Sequence, residues 1–180
     1  MAEIMLEPTA IAAWQRLVQG AARRCALSLD ETCEAHLVFT LARGLRDAPM
    51  TGQAMALPYL AAMQVTGGER RVQLEMVGDG CLVIAGLFPG IARRRRLRAT
   101  YYIDLGRSAY QEAAVGAREG QAALLSHLVA EFPRMVSVLG AVRECLPGGL
   151  WERAARAIGE DAGSLPLDAG LATARGQRPH

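Results

Sequence analysis

The sequence predicts an all-α protein, a single compact helical domain of about five to seven helices. Apolar residues recur at three- and four-residue spacings over long stretches near both ends of the chain, as they do in amphipathic helices. The longest nearly uncharged apolar run, residues 72–88, is apolar almost all round after Gly80, which is typical of a central buried helix. Only residues 99–105 could add a strand beside that run, and a buried hairpin needs more than one.

The central run leaves one alternative open. Residues 72–77 alternate between apolar and polar side chains, and Gly78-Asp79-Gly80 could form the turn of a hairpin. The alternative fold is therefore α+β with a hairpin at residues 72–88. The helix is the preferred interpretation, and because glycine weakens a helix, we expect the close approach of a neighbouring helix to compensate for these glycines.

The first two helices are predicted from spacing and from end signals. Residues 8–26 form an amphipathic pattern that begins at Pro8, a residue suited to the first turn of a helix. Ser28 stands three residues before Glu31, the arrangement of a capping box. The second helix is expected to follow this cap and to continue to about Arg46.

The middle of the chain is punctuated by proline and glycine. Residues 47–52 predict a loop, residues 54–63 a short helix, and Gly67 with Gly68 a second break. After the central run, the sequence Phe88-Pro89-Gly90 is expected to end the element.

The C-terminal half predicts two further long helices and a short one. Thr100 is placed to cap a helix that glycines end near residue 116, and residues 121–145 carry one long apolar stripe that Pro133 should bend. A short helix is expected at 151–158. The domain is therefore predicted to span residues 1–158, and residues 159–180, rich in glycine, proline and small residues, are expected to form a weakly ordered tail.

Composition limits the chemistry. The chain has 180 residues, 51% of them hydrophobic, and a formal charge of +2, so any electrostatic function must be local. All 20 basic residues are arginine, which excludes lysine chemistry such as a Schiff base.

The four cysteines are scattered without a CxxC pair, and the first residues lack the pattern of a signal peptide. Reduced thiols and a cytoplasmic location are expected.

One polar cluster is predicted around Asp79, a lone carboxylate in the apolar run. A buried acid needs a partner, and the nominated partner is Arg107. The preferred interpretation is a buried ion pair that fixes how two helices dock, and the other is a pocket for a small ligand. The residues assigned to this buried polar cluster are Asp79, Arg107, Tyr101, Tyr102 and Tyr110.

A run of arginines follows the apolar stretch and is expected to be an exposed connector or a short helical turn. Five guanidinium groups within six positions can grip phosphates on nucleic acid, on lipid headgroups or on a phosphorylated partner. The alternative is a solvated surface balanced by nearby acids. The residues assigned to phosphate or partner binding are Arg93, Arg94, Arg95, Arg96 and Arg98.

The same segments carry a resemblance to known sequences. The pattern VGDxCL from Val77, then GLFP, the arginines, and YYxxLGRSAY from Tyr101 to Tyr110 resembles a small family of bacterial helical proteins. The resemblance covers about residues 30–145. It implies a compact helical domain and carries over no activity, cofactor, partner or catalytic residue.

No metal or cofactor is predicted. The histidines His36, His127 and His180 are scattered and show no metal-binding spacing. His36 with Glu34, and His127 with Glu131, could form a makeshift ligand set on facing helices, but core or solvated histidines are the preferred interpretation. The chain also lacks a Walker sequence, a complete dinucleotide fingerprint and a GxSxG elbow, so no catalytic residue is nominated.

These observations lead to three hypotheses about function. The first is a non-catalytic cytoplasmic regulatory or adaptor protein that acts through contacts with a protein partner of unknown identity. The second is a module that binds nucleic acid or another polyanion through the arginine run. The third is a small-ligand pocket, or an enzyme, built around Asp79.

Overall fold

The computed structural model describes residues 8–44 and 54–145, and within these ranges the chain forms seven α-helices and no strand. The all-α prediction is confirmed, and the hairpin alternative at residues 72–88 is wrong. In chain order the helices are α1 (Pro8–Arg24), α2 (Glu31–Gly44), α3 (Ala56–Ala62), α4 (Gly67–Leu87), α5 (Pro89–Arg94), α6 (Ala99–Ala114) and α7 (Glu119–Cys145).

Helix α4 is the centre of the fold. Every residue from Val77 to Leu87 is buried, because α6 and α7 pack along this half of the helix and α3 covers another part of it. The first half of α4 is partly exposed, and Val72 and Met76 face solvent there. The part of the central run after Gly80 is therefore buried within a helix, as its all-round apolar character predicted.

Two glycines in α4 mark the points where neighbouring helices come closest. A Cβ atom at Gly78 would lie 2.2 Å from Cε1 of Tyr110 on α6, and one at Gly86 would lie 2.4 Å from Cβ of Leu139 on α7. Real Cβ atoms do not approach other atoms so closely. The expectation that close helix packing compensates for the glycines is confirmed at both positions.

Two predicted helix caps are wrong. The side chain that caps α2 is Asp30, whose Oδ1 accepts the backbone N–H of Cys33 at 2.8 Å, so Ser28 lies before the cap. Helix α6 begins directly after Arg98, which leaves Thr100 within its first turn, and no side chain caps that end. In both cases the helix boundary differs by two residues from the predicted one, a common error when several polar residues precede a helix.

The break near Gly67 is also shifted. Helix α4 begins at Gly67, which has a φ of +66°, so the interruption lies in the residues just before it. Pro133 lies inside α7, and a bend there stays a prediction. The predicted loop at 47–52, the short helix at 151–158 and the tail at 159–180 lie outside the described residues, so the predicted domain boundaries stay predictions.

Helix α7 is long and apolar enough to cross a membrane, by length and composition only. Core helices pass the same test, and α7 packs against α1, α4 and α6. The described part of the chain therefore shows no clear membrane span.

Candidate functional site

The carboxylate of Asp79 lies at the meeting point of three helices. Its Oδ1 accepts a hydrogen bond from the Tyr110 hydroxyl at 2.6 Å and lies 3.2 Å from Nε2 of His36, while its Oδ2 pairs with the guanidinium group of Arg43. His36 Nε2 is also 2.9 Å from the Tyr110 hydroxyl oxygen. Both carboxylate oxygens are thus satisfied by neighbouring side chains. We call Asp79, His36, Arg43 and Tyr110 the Asp79 cluster.

The helices place these side chains by simple spacing. His36 and Arg43 are seven residues apart on α2, which puts them on the same face two turns apart. Tyr110 projects from α6 against the flat surface of Gly78 and contacts the ring of His36 edge-on, with centroids 5.9 Å apart. The cluster therefore ties α2 and α6 to the central helix.

Burial raises the pKa of one member of the cluster, Tyr110, and of a neighbouring acid, Glu75. Burial, followed by the charge of Asp79, raises the pKa of Tyr110 well above 10, so its hydroxyl remains a proton donor at neutral pH. Burial also raises the pKa of Glu75, against the opposing effect of Arg71 one turn earlier. Both effects follow from the cost of placing a charge where surrounding side chains exclude water.

The structure brings only part of the predicted polar cluster together. Asp79 and Tyr110 are in contact, but the arginine that pairs with Asp79 is Arg43, not Arg107. The Nε of Arg107 donates instead to the backbone carbonyl of Val129, which ties α6 to α7. Arg43 and His36 were missed because nothing in the local spacing shows which face of α2 meets α4.

The remaining tyrosines lie away from the carboxylate. Tyr102 is fully buried, and its hydroxyl has no hydrogen-bond partner among the described residues. Tyr101 is half-buried and packs edge-on against Tyr102, with ring centroids 5.2 Å apart. These two side chains form an aromatic contact near the start of α6 and do not belong to the Asp79 cluster.

A cleft of about 550 Å³ opens over the Asp79 cluster, and we call it the Asp79 cleft. Its polar wall contains all four residues of the cluster together with Glu75 and Gln121. Its rim is apolar and unusually exposed. Five of the eight large apolar side chains that are exposed among the described residues line this one cleft: Ile11, Phe39, Val72, Met76 and Leu124.

The cleft walls are helical faces about two turns long. On α4 the lining runs from Val72 to Asp79, on α2 from His36 to Arg43, and on α7 from Gln121 to Leu128. Each of these rows spans eight residues, or seven steps along the helix, which corresponds to about 10 Å along a helix axis. The site is therefore an open groove between helices, with an apolar rim and a polar wall.

Replacing Asp79 by alanine is expected to lower the free energy of unfolding by about 1 to 3 kcal/mol, because the fully buried Tyr110 hydroxyl loses its carboxylate acceptor and keeps only Nε2 of His36 as a partner. The Arg43 side chain is 57% exposed, so it can turn to solvent and adds little to this loss. Urea denaturation monitored by circular dichroism measures the change.

The matched control is Asp79→Asn, which keeps an acceptor oxygen for Tyr110 and removes the charge. We expect it to cost less than the alanine variant. Equal stability of wild type and Asp79→Ala would contradict a structural role for the cluster.

The arginine run lies away from this cleft. Arg93, Arg94, Arg96 and Arg98 are exposed and Arg95 is half-buried, at the end of α5 and the connection to α6. None of the five lines the Asp79 cleft. The run is thus a basic surface. Because it lies at the C-terminal end of α5, where the helix dipole favours positive charge, the arginines also have a structural explanation.

One group of side chains with metal-ligand chemistry lies where α2 begins. The ligand atoms of Asp30, Cys33 and His127 are all within 4.8 Å of one another. The sequence offered a weak signal only, since Asp30 and Cys33 are one turn apart but His127 is more than 90 residues further on. Burial raises the pKa of the Cys33 thiol to about 12, and the carboxylates of Asp30 and Glu131 add to the effect.

Comparison with known proteins finds no matching family model, no matching curated protein and no matching solved structure. The resemblance to a family of bacterial helical proteins stays a prediction. The fold and the site together define an all-α protein with an open, apolar-rimmed cleft, and its function must be argued from that cleft.

Proposed function

We propose that this chain is a non-catalytic regulatory or adaptor protein of the cytoplasm, and that the Asp79 cleft receives an amphipathic helix of a partner protein. The observation that carries the proposal is the concentration of exposed apolar side chains around this single cleft. Phe39 and Val72 are 61% and 51% exposed, although both lie on helices whose other faces are packed. Exposed apolar side chains gathered at one place mark interaction surfaces.

The shape of the cleft favours a helix as the occupant. Two-turn rows on α2, α4 and α7 face a common opening, and an α-helix presents apolar side chains over the same length at positions i, i+4 and i+7. The expected ligand is therefore a helix with three apolar residues at that spacing. Polar residues on its remaining face would stay in solvent.

The polar wall argues against a small ligand or a substrate. The volume of the cleft alone would suit either. However, Oδ1 of Asp79 already contacts Tyr110 and His36, and Oδ2 pairs with Arg43, so a ligand's polar group would have to compete with these partners for the carboxylate. The Asp79 cluster supports the shape of the groove, and binding energy would come from its apolar rim.

A displayed library of helical peptides about 16 residues long, near the minimum for a stable isolated helix, tests the proposal. Selection against the full chain should enrich peptides with apolar residues at i, i+4 and i+7. A double variant, Phe39→Glu with Met76→Glu, should weaken the selected peptides by at least about 30-fold, the equivalent of 2 kcal/mol for removing a hot spot. Isothermal titration calorimetry measures the affinities.

The chain offers a matched control. Leu57 and Leu60 on α3 are 67% and 58% exposed and do not line the cleft, so Leu57→Glu with Leu60→Glu introduces the same charge at exposed apolar sites elsewhere on the protein. This variant should bind the selected peptides with the same affinity as the wild-type protein. Selection that enriches no peptides, or peptides insensitive to the cleft variant, would contradict the proposal.

A salt titration of DNA binding separates the adaptor proposal from polyanion binding. If the arginine run holds duplex DNA through four or five contacts, log affinity should fall against log salt with a slope of about −4. Replacing Arg93, Arg94 and Arg96 by glutamine would flatten that slope, and the cleft variant would leave it unchanged. A sub-micromolar, salt-sensitive complex of this kind would favour the polyanion hypothesis.

A further inference from the structure

The start of α2 and the middle of α7 bring three different ligand types to one point. The Cys33 sulfur lies 3.6 Å from Nε2 of His127, and the same nitrogen contacts Oδ2 of Asp30. The two helices are packed together, and the residues come from parts of the chain more than 90 positions apart. The juxtaposition is a product of the tertiary fold and does not arise from local sequence.

The cap of α2 leaves a carboxylate oxygen for this cluster. Oδ1 of Asp30 accepts the N–H of Cys33 at 2.8 Å, which fixes the carboxylate at the first turn and turns Oδ2 towards His127. Because Cys33 follows Asp30 by three residues, its thiol lies on the same side of that turn. Capping and ligand placement are therefore compatible.

We propose that Asp30, Cys33 and His127 form a binding site for a divalent cation of borderline softness, with Zn²⁺ as the best match. A thiolate, an imidazole and a carboxylate are the ligand types that zinc takes in proteins, and three protein ligands with a water in the fourth position is one of its known arrangements. The side chains of Asp30 and His127 are 48% and 40% exposed, so the fourth position would be open to water.

The distance between the sulfur and the nitrogen ligand fits a tetrahedral ion. Zn–S bonds of about 2.3 Å and Zn–N bonds of about 2.0 to 2.1 Å at a tetrahedral angle place sulfur and nitrogen about 3.6 Å apart. The Cys33 and His127 ligand atoms are separated by 3.6 Å. The contact between His127 and Asp30 is closer than two ligands of one ion can be, so these half-exposed side chains would separate slightly to admit the metal.

Charge around the thiol also favours a cation. Burial first, and then the carboxylates of Asp30 and Glu131, raise the pKa of Cys33, so the bond to the metal must offset the cost of removing the thiol proton. Glu131 lies on α7 one turn after His127, and the two negative charges attract a cation. On binding, the Cys33 S–H bond breaks, its proton leaves to solvent, and the sulfur electron pair is donated to the metal. His127 binds as the neutral imidazole through the lone pair of Nε2, with its proton on Nδ1.

Titration of the metal-free full chain with Co²⁺, followed by Zn²⁺, tests the proposal. Cobalt should produce the visible bands of a tetrahedral complex and a near-ultraviolet thiolate-to-metal band, and zinc should displace both. Cys33→Ser should abolish the thiolate band, whereas Cys25→Ser, which changes a half-buried thiol outside the cluster, should leave it intact.

Asp30→Asn keeps the test decisive if Cys33→Ser fails to fold. Asparagine caps a helix as well as aspartate does, so α2 should be preserved. Loss of the carboxylate ligand should still weaken cobalt binding by at least about tenfold. A cobalt complex without a thiolate band, or one unchanged in Asp30→Asn, would overturn the site and leave a capped helix with a histidine–carboxylate hydrogen bond.

Discussion

Replacing Gly86 by alanine is expected to lower the free energy of unfolding by about 3 kcal/mol, at the upper end of the usual cost of overpacking a core. The added Cβ would lie 2.4 Å from Cβ of Leu139 and 3.1 Å from its Cδ1. A Cβ atom moves only with its backbone, so α7 itself must shift away from α4. Because α7 also packs on α1 and α6, that shift disturbs more than one contact.

Gly20 in α1 provides the matched control. A Cβ added there meets nothing within 4 Å, so Gly20→Ala should gain the helix propensity of alanine and stabilise the protein by up to about 1 kcal/mol. Urea denaturation of both variants measures the difference. If the Gly86 variant were as stable as wild type, α4 and α7 could not approach each other as closely as the structure shows.

Stability should fall steeply at alkaline pH because a buried thiol remains protonated in the folded chain. Burial raises the pKa of Cys81 from 9.0 to about 12. Between these values the unfolded chain has released the proton and the folded chain has kept it, so unfolding becomes more favourable as pH rises. The loss amounts to about 1.4 kcal/mol per pH unit for this group, or about 4 kcal/mol over the whole interval.

Comparison with Cys81→Ala isolates this contribution. At pH 7 the alanine variant should be the less stable protein by about 1 kcal/mol, because the sulfur atom leaves a small cavity in the core. From pH 9 upward its stability should decline more slowly than that of wild type, so the order reverses near pH 10. Cys33, whose pKa is also raised, is common to both proteins and does not affect the difference, whereas Tyr110 loses in the alanine variant the contribution of Cys81, the least of the effects that raise its pKa. Parallel pH profiles would contradict a buried, protonated Cys81.

The sequence by itself determined the fold class and the role of the central run. Helical spacing is a local property, since residues three and four apart share a face whatever the rest of the chain does. After Gly80 the run has almost no polar face and must therefore be surrounded by other elements, and the residues from Cys81 to Leu87 are buried in the core as part of α4. The glycines within that run indicated close neighbours, and Gly78 and Gly86 have them.

Only the tertiary structure decided which faces meet. Arg43 and Arg107 both lie on amphipathic helices, and local spacing cannot tell which of them reaches Asp79, because that depends on how α2 and α6 cross α4. The Asp79 cleft and the cluster of Asp30, Cys33 and His127 were beyond prediction for the same reason. Each is built from helices far apart in the chain, and their relative positions follow from the packing of side chains over the whole core, which no short stretch of sequence encodes.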